Sequence, residues 1–174
     1  WYYFWYSSLA LNKYVRILDA MKHFDIGYPH CKSRRILSEN SRTIKDKIVA
    51  WGLNREYYDG AREHGYGGFR YDGRWARIIP NIVREYKIDD KSAVLDIGCK
   101  KGFFLHDLKE AFTGIKIKGV ENHPYPIENS MESVKKDIIL APYEKLPFKD
   151  NEFDFILAFA SIYMLNFGGV LGAL

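Results

Sequence analysis

The run Ala93-Val94-Leu95-Asp96-Ile97-Gly98-Cys99-Lys100-Lys101-Gly102-Phe103 constrains this chain more than any other stretch. Apolar side chains on both sides of one acid read as a short buried strand. Gly98 and Gly102 then turn the chain, and Phe103 opens a helix. A strand that passes through an acid and a glycine turn into a helix is how an open α/β sheet holds a nucleotide-shaped cofactor at its edge. The glycines let the backbone approach closely. The helix start offers free N–H groups and the positive end of its dipole.

Residues 92–159 repeat this rhythm. We expect strands at 93–97, 115–121, 137–140 and 153–159, and helices over about 103–112 and 126–135. Such alternation makes a parallel sheet with right-handed crossovers. Upstream, 44–51 and 76–86 carry helical spacing, and Val15, Ile17, Leu18 and Met21 suggest a further helix. Gly27-Tyr28-Pro29 is a loop signal. The block 57–75, Tyr57 to Trp75, sets five glycines among aromatics and arginines. That composition suits neither a long helix nor a regular strand. Its aromatics are too many for a disordered linker, so an ordered loop is expected.

Two further stretches carry chemistry. Glu121 ends the second strand, where a carboxylate can accept hydrogen bonds from vicinal ribose hydroxyls. Dinucleotide folds place an acid there too, so Glu121 points to a ribose and not to one cofactor. Leu146-Pro147-Phe148-Lys149-Asp150-Asn151-Glu152-Phe153-Asp154 precedes the fourth strand. Lys100 replaces the middle glycine of a G-x-G-x-x-G turn, which argues against NAD. Taken together, these stretches resemble the class I S-adenosylmethionine-dependent methyltransferases, of the methyltransferase type 11-like kind. The first motif of that family reads hydrophobic-hydrophobic-Asp-hydrophobic-Gly-x-Gly-x-Gly, and its later block reads L-P-F-x-D-x-x-F-D. The resemblance covers 92–165 well and 54–75 moderately.

The resemblance implies a Rossmann-like open parallel sheet, strand order 3-2-1-4, with an N-terminal helical and loop extension. It implies S-adenosyl-L-methionine as cofactor and methyl transfer to a small-molecule or saccharide acceptor. The cofactor-binding set it suggests is Asp96, Gly98, Cys99, Lys100, Gly102, Glu121, Asn122, Tyr143, Ala160 and Arg74. Arg70 is the alternative to Arg74 for the cofactor carboxylate, and Asp154 holds the start of the fourth strand. There are departures. Lys100 carries a side chain where the family usually has Gly or Ala. Leu140-Ala141-Pro142-Tyr143 lacks the acid that contacts adenine, leaving backbone groups or Tyr143 stacking on the ring to substitute. Ser161 and Tyr163 are the polar residues after the fourth strand. Methyl transfer is mostly positioning. A hydroxyl acceptor would need a base, for which Tyr163, Asp72 and His64 are the candidates.

A length of 174 residues suits one modest α/β domain. We divide it into an apolar extension at 1–20, a helical and loop cap at 21–90, and the cofactor domain at 91–174. Residues 1–11 are too short to span a bilayer and lack the basic start of a signal peptide. They read as a fragment edge or as sequence upstream of a start at Met21, with an amphipathic helix as the alternative. Net charge is +4 with scattered Lys and Arg, so nucleic acid is not an expected partner. No Cys/His cluster has zinc spacing, so no metal is expected. Cys31 and Cys99 suit a cytoplasmic chain. The family continues past its fourth strand, in order 3-2-1-4-5-7-6, whereas here 166–174 reads as the next helix. We therefore expect a C-terminally incomplete domain whose open edge a homodimer or partner would cover. Two other readings stand. One is a non-catalytic scaffold or partner module of the same fold, favoured by Lys100, Pro142 and Ala160. The other is an NAD- or nucleotide-sugar-binding oxidoreductase.

Overall fold

The computed structural model of the protein describes residues 24–29 and 42–173. The strands β1 (Ala93–Ile97), β2 (Lys116–Glu121), β3 (Ile138–Leu140) and β4 (Phe155–Leu157) form one parallel sheet in the order β3-β2-β1-β4. This is the expected order. β1 is paired on both sides, Asp96 lying between Gly119 and Leu157 in register. That central place explains its apolar composition. β4 is shorter than the sequence suggests. Its approach is fixed by Asp154, whose N–H donates to Ala93 O at 2.9 Å while its Oδ2 accepts from Ala93 N at 2.8 Å.

Helices α1 (Ile44–Trp51), α2 (Arg55–Asp59), α3 (Arg74–Tyr86), α4 (Phe103–Ala111), α5 (Pro124–Glu128) and α6 (Phe167–Ala173) accompany the sheet. α1 has the expected bounds, set by a capping box between Thr43 and Asp46. α3 starts slightly earlier than expected. Trp75, Ile78, Ile79 and Ile82 make one apolar stripe that packs with Phe104, Leu105 and Leu108 of α4. The helix expected over 126–135 is instead α5, followed by a separate 3-10 turn at Lys135–Asp137. His123 Nδ1 accepts from Tyr125 N at 3.1 Å and Pro124 fits the first turn, so α5 begins early. Asn129 and Ser130 then donate to Tyr125 O and Ile127 O, competing with further helix.

The block 57–75 is ordered, as expected, with α2 forming its start. Tyr66 N donates to Tyr57 O, and Gly68 and Phe69 N–H groups donate to Tyr58 O. Phe69 stacks on Phe103 at 4.9 Å between ring centroids. The Tyr71 hydroxyl donates to Asp107 of α4, whose other oxygen accepts from Ala76 N at 2.9 Å. The firmest tie is Asp59. It accepts from Lys101 Nζ at 2.8 and 2.7 Å, from the Tyr125 hydroxyl at 2.7 Å and from Phe69 N at 3.1 Å. Burial alone would raise the Asp59 pKa, but the Lys101 and Tyr125 hydrogen bonds outweigh it and hold the carboxyl below its usual range.

Asp59→Ala would leave the Lys101 ammonium, only 8 % exposed, without its counterion. We expect a loss of about 2–3 kcal/mol, read from the urea midpoint at pH 7. Because the folded pKa is depressed, this stability is present above the unfolded value and fades as pH falls through the folded one. A variant with the parental midpoint would show that the clasp contributes nothing.

Among the described residues no helix is long and apolar enough to cross a membrane. The helix expected near Val15–Met21, the aromatic run 1–11 and Cys31 lie outside the described residues.

Candidate functional site

The turn after β1 carries three positive backbone angles, φ +76° at Gly98, +55° at Lys100 and +74° at Gly102. A Cβ on Gly98 would stand 2.3 Å from Ser161 Cβ, so no larger residue fits there without displacement. Gly102 caps the start of α4. Gly98 N and Cys99 N both donate to Val120 O, at 2.8 and 3.2 Å, which binds the turn to β2.

Two acids stand at the ends of adjacent strands. Glu121, 2 % exposed, accepts from Asn122 N at 2.9 Å and the Tyr143 hydroxyl at 2.7 Å on Oε1, and from Lys100 N at 2.9 Å on Oε2. Asp96 is 4 % exposed. Burial pushes its carboxyl up to about 7, Lys100 pulling the other way and Glu121 adding to the rise. Burial also raises the Cys99 thiol, which stays protonated and inert near neutral pH. The Lys100 side chain folds back, its Nζ donating to Gly98 O and Phe159 O, each at 3.2 Å.

A cavity of about 380 Å³ opens beside the turn. Asp96, Gly98, Cys99, Lys100, Ala160 and Arg74 of the expected cofactor set line it, with Arg70, Tyr28 and an aromatic wall of Trp75, Phe103, Phe104 and Phe159. A second cavity of about 30 Å³ lies at the end of β2, against Glu121, Asn122, Tyr143, Ser161, Tyr57 and Tyr58. Lys100, Tyr66 and Ala160 line both. Gly102 lines neither and serves α4. Tyr143 packs with Leu95, Ile97 and Val120, and its hydroxyl donates to Glu121 at the edge of the smaller cavity.

The three candidate bases line neither cavity. Tyr163 is 72 % exposed on the 3-10 turn Ile162–Met164. Asp72 grips the Arg74 guanidinium, accepting from Nε and Nη2. His64 sits between Asp46 and Glu56, at 3.5 and 3.4 Å. Among the described residues, Asp96 is the one carboxylate lining the larger cavity.

Some members of the site were not foreseen. Tyr28 accepts from Arg74 Nη1 at 2.6 Å, and its ring lies 4.8 Å from Phe159. Its loop signal gave no hint of that contact. The Ser161 hydroxyl is buried, at 4 % exposure, and without a hydrogen-bond partner among the described residues. A buried hydroxyl left unpaired beside a cavity is a position that an incoming polar group would satisfy. No group of three His, Cys, Asp or Glu among the described residues could hold a metal ion.

Residues 95–170 match the methyltransferase domain family. Over 135 residues the chain is 31% identical to the mitochondrial arginine-hydroxylase NDUFAF5 of Mus musculus, and equally to that of Rattus norvegicus. These alignments take in 77% of this chain and 37% of each relative, so the chain spans little more than a third of their length. A solved structure assigned as an S-adenosyl-L-methionine-dependent methyltransferase of Methanococcus maripaludis superposes with a TM-score of 0.50 at 17% identity. It covers 56% of this chain and 48% of that one, and shows a shared fold. The match over residues 95–170 and the strand order β3-β2-β1-β4 together give this part of the chain the Rossmann-like fold of a methyltransferase domain.

Proposed function

We propose that this chain binds S-adenosyl-L-methionine along the two cavities and directs its methyl group to a small-molecule or saccharide acceptor. The observation that carries the proposal is the acid pair, Asp96 and Glu121, buried at neighbouring strand ends on either side of a positive-φ turn. In this reading Asp96 takes the cofactor's amino group and Glu121 its ribose hydroxyls. Arg70 or Arg74 takes its carboxylate, and the Ser161 hydroxyl gains the partner it lacks. When bound, the cofactor supplies an electrophilic methyl carbon. The chain's own part is to orient and to exclude water, which the wall of Trp75, Phe103, Phe104 and Phe159 suits. Since Tyr163, Asp72 and His64 line neither cavity, the proposal rests on positioning and not on a base from that set.

A second reading has its own support. Lys100 occupies the turn where the family usually has a small residue, and the curated relatives are named for arginine hydroxylation. Under it the domain holds the cofactor without moving a methyl group. We place the chain in a reducing compartment, as the unpaired, buried Cys99 suits. The cytoplasm is our expectation, and the relatives are named as mitochondrial.

A thermal-shift panel tests the proposal. S-adenosylhomocysteine at one hundred times its Kd adds about 2.7 kcal/mol to a protein that binds it. For a chain of this size that raises Tm by roughly 5–10 °C. NAD and nucleotide sugars are expected to leave Tm unchanged. A shift with NAD and none with S-adenosylhomocysteine would overturn the assignment. Label from methyl-labelled cofactor appearing in an acceptor would then separate methyl transfer from the second reading.

A further inference from the structure

We infer that Lys100 is a specificity-determining residue, one that disfavours the charged sulfonium of S-adenosylmethionine relative to the neutral thioether of S-adenosylhomocysteine. The inference rests on the cofactor reading above. Lys100 is held at both ends: its N–H donates to Glu121, and its Nζ donates to Gly98 O and Phe159 O. The side chain thus runs from the turn after β1 to the segment after β4. It lines both cavities, and with Tyr66 and Ala160 it forms the partition between them.

A ligand that reaches Arg70 or Arg74 at one end and Glu121 at the other must pass that partition. In the cofactor, sulfur is the atom that joins the amino-acid part to the ribose part. Lys100 therefore sets an ammonium against the middle of the ligand, where the sulfur lies in the chain of bonds. The larger cavity is lined by two other cations, Arg70 and Arg74, and by Asp96. Arg74 is already paired with Asp72, so among the described residues Arg70 and Lys100 are the cations there whose side chains carry no carboxylate partner of their own. Like charges in a site poorly screened by water repel strongly. A sulfonium meets that repulsion and a thioether does not.

Calorimetric Kd values for both ligands, in the parent chain, Lys100→Met and Lys100→Gly, test this. The titrations belong at pH 8.5. The groups around Asp96 are Lys100, Glu121 and Cys99, with Arg70 and Arg74 also lining its cavity; removing Lys100 raises the Asp96 pKa, but both ligands carry the same amino group, so that change cancels in the ratio of their Kd values. Met keeps the side chain as far as its fourth atom and removes the ammonium with its bonds to Gly98 O and Phe159 O. Gly removes the partition and suits the φ of +55°. We expect the ratio of the S-adenosylmethionine Kd to the S-adenosylhomocysteine Kd to fall about tenfold in both variants. In Lys100→Gly both Kd values should also fall. A ratio unchanged in both variants would overturn the role of Lys100 while leaving the cofactor reading intact. Absence of binding by all three proteins would overturn the cofactor reading itself.

Discussion

Glu121→Ala is expected to lose S-adenosylhomocysteine binding and to destabilise the chain by about 3 kcal/mol or more. Glu121 holds three donors at once: the Lys100 and Asn122 N–H groups and the Tyr143 hydroxyl. Alanine leaves all three in a nearly closed space. An unpaired buried donor costs about 1–3 kcal/mol, and the small neighbouring cavity relieves only part of that. The turn after β1 would also lose a tie to β2, leaving Gly98 and Cys99 on Val120 O. Glu121→Gln is the milder probe. Its carboxamide can still accept on one side while the Tyr143 hydroxyl turns to accept from the amide. One backbone N–H is then left over, for about 1–2 kcal/mol. Urea denaturation and titration of each variant read the two effects separately. An Ala variant with parental stability and affinity would contradict the role given to Glu121.

Asp96→Asn should act in opposite directions on stability and on binding. The folded pKa of Asp96 is pushed up to about 7, chiefly by burial, from an ordinary 3.8. A carboxyl with a raised folded pKa binds more protons folded than unfolded across that window. Its contribution to stability therefore falls as pH rises from about 4 to 7, and the full penalty stands above 7. Asparagine removes the charge. We expect a gain on the order of 2–4 kcal/mol at pH 8 that vanishes near pH 4. Cofactor binding should weaken at least about tenfold, since a charge-assisted bond to the amino group is lost. A gain in stability with a loss of binding is the signature of a residue kept for its ligand. A difference between variant and parent that does not change with pH would show that Asp96 is not the group titrating.

Much of this was legible in the sequence because the signals are local. β1, its turn and the acid ending β2 follow from a dozen contiguous residues and one spacing. The order β3-β2-β1-β4 agrees with what the family resemblance implied. Asp154 holds β4 to β1 as the L-P-F block led us to expect. What was missed depends on individual side-chain contacts, some between near residues and some between distant ones, that residue type and periodicity do not register. Lys101 looked like part of a cofactor turn, yet it serves Asp59, whose place beside it is set by the loop. Asp72 and His64 looked free to act as bases. Asp72 is paired with Arg74, and His64 faces Asp46 and Glu56 with its buried Nδ1 lacking a hydrogen-bond partner among the described residues. Helix α5 stopped early because Asn129 and Ser130 bond back to its carbonyls, a competition that periodicity does not register. Lys100 stood out by composition alone. That it bridges Gly98 O and Phe159 O needed coordinates.

The most direct test of the central claim is calorimetric titration of S-adenosylhomocysteine into the 174-residue chain, with Glu121→Gln in parallel. We expect one-to-one binding by the parent and an affinity at least about tenfold weaker in the variant, the loss of one charge-assisted pair. No heat from the parent, or equal affinity in the two proteins, would contradict the assignment of this site to the cofactor.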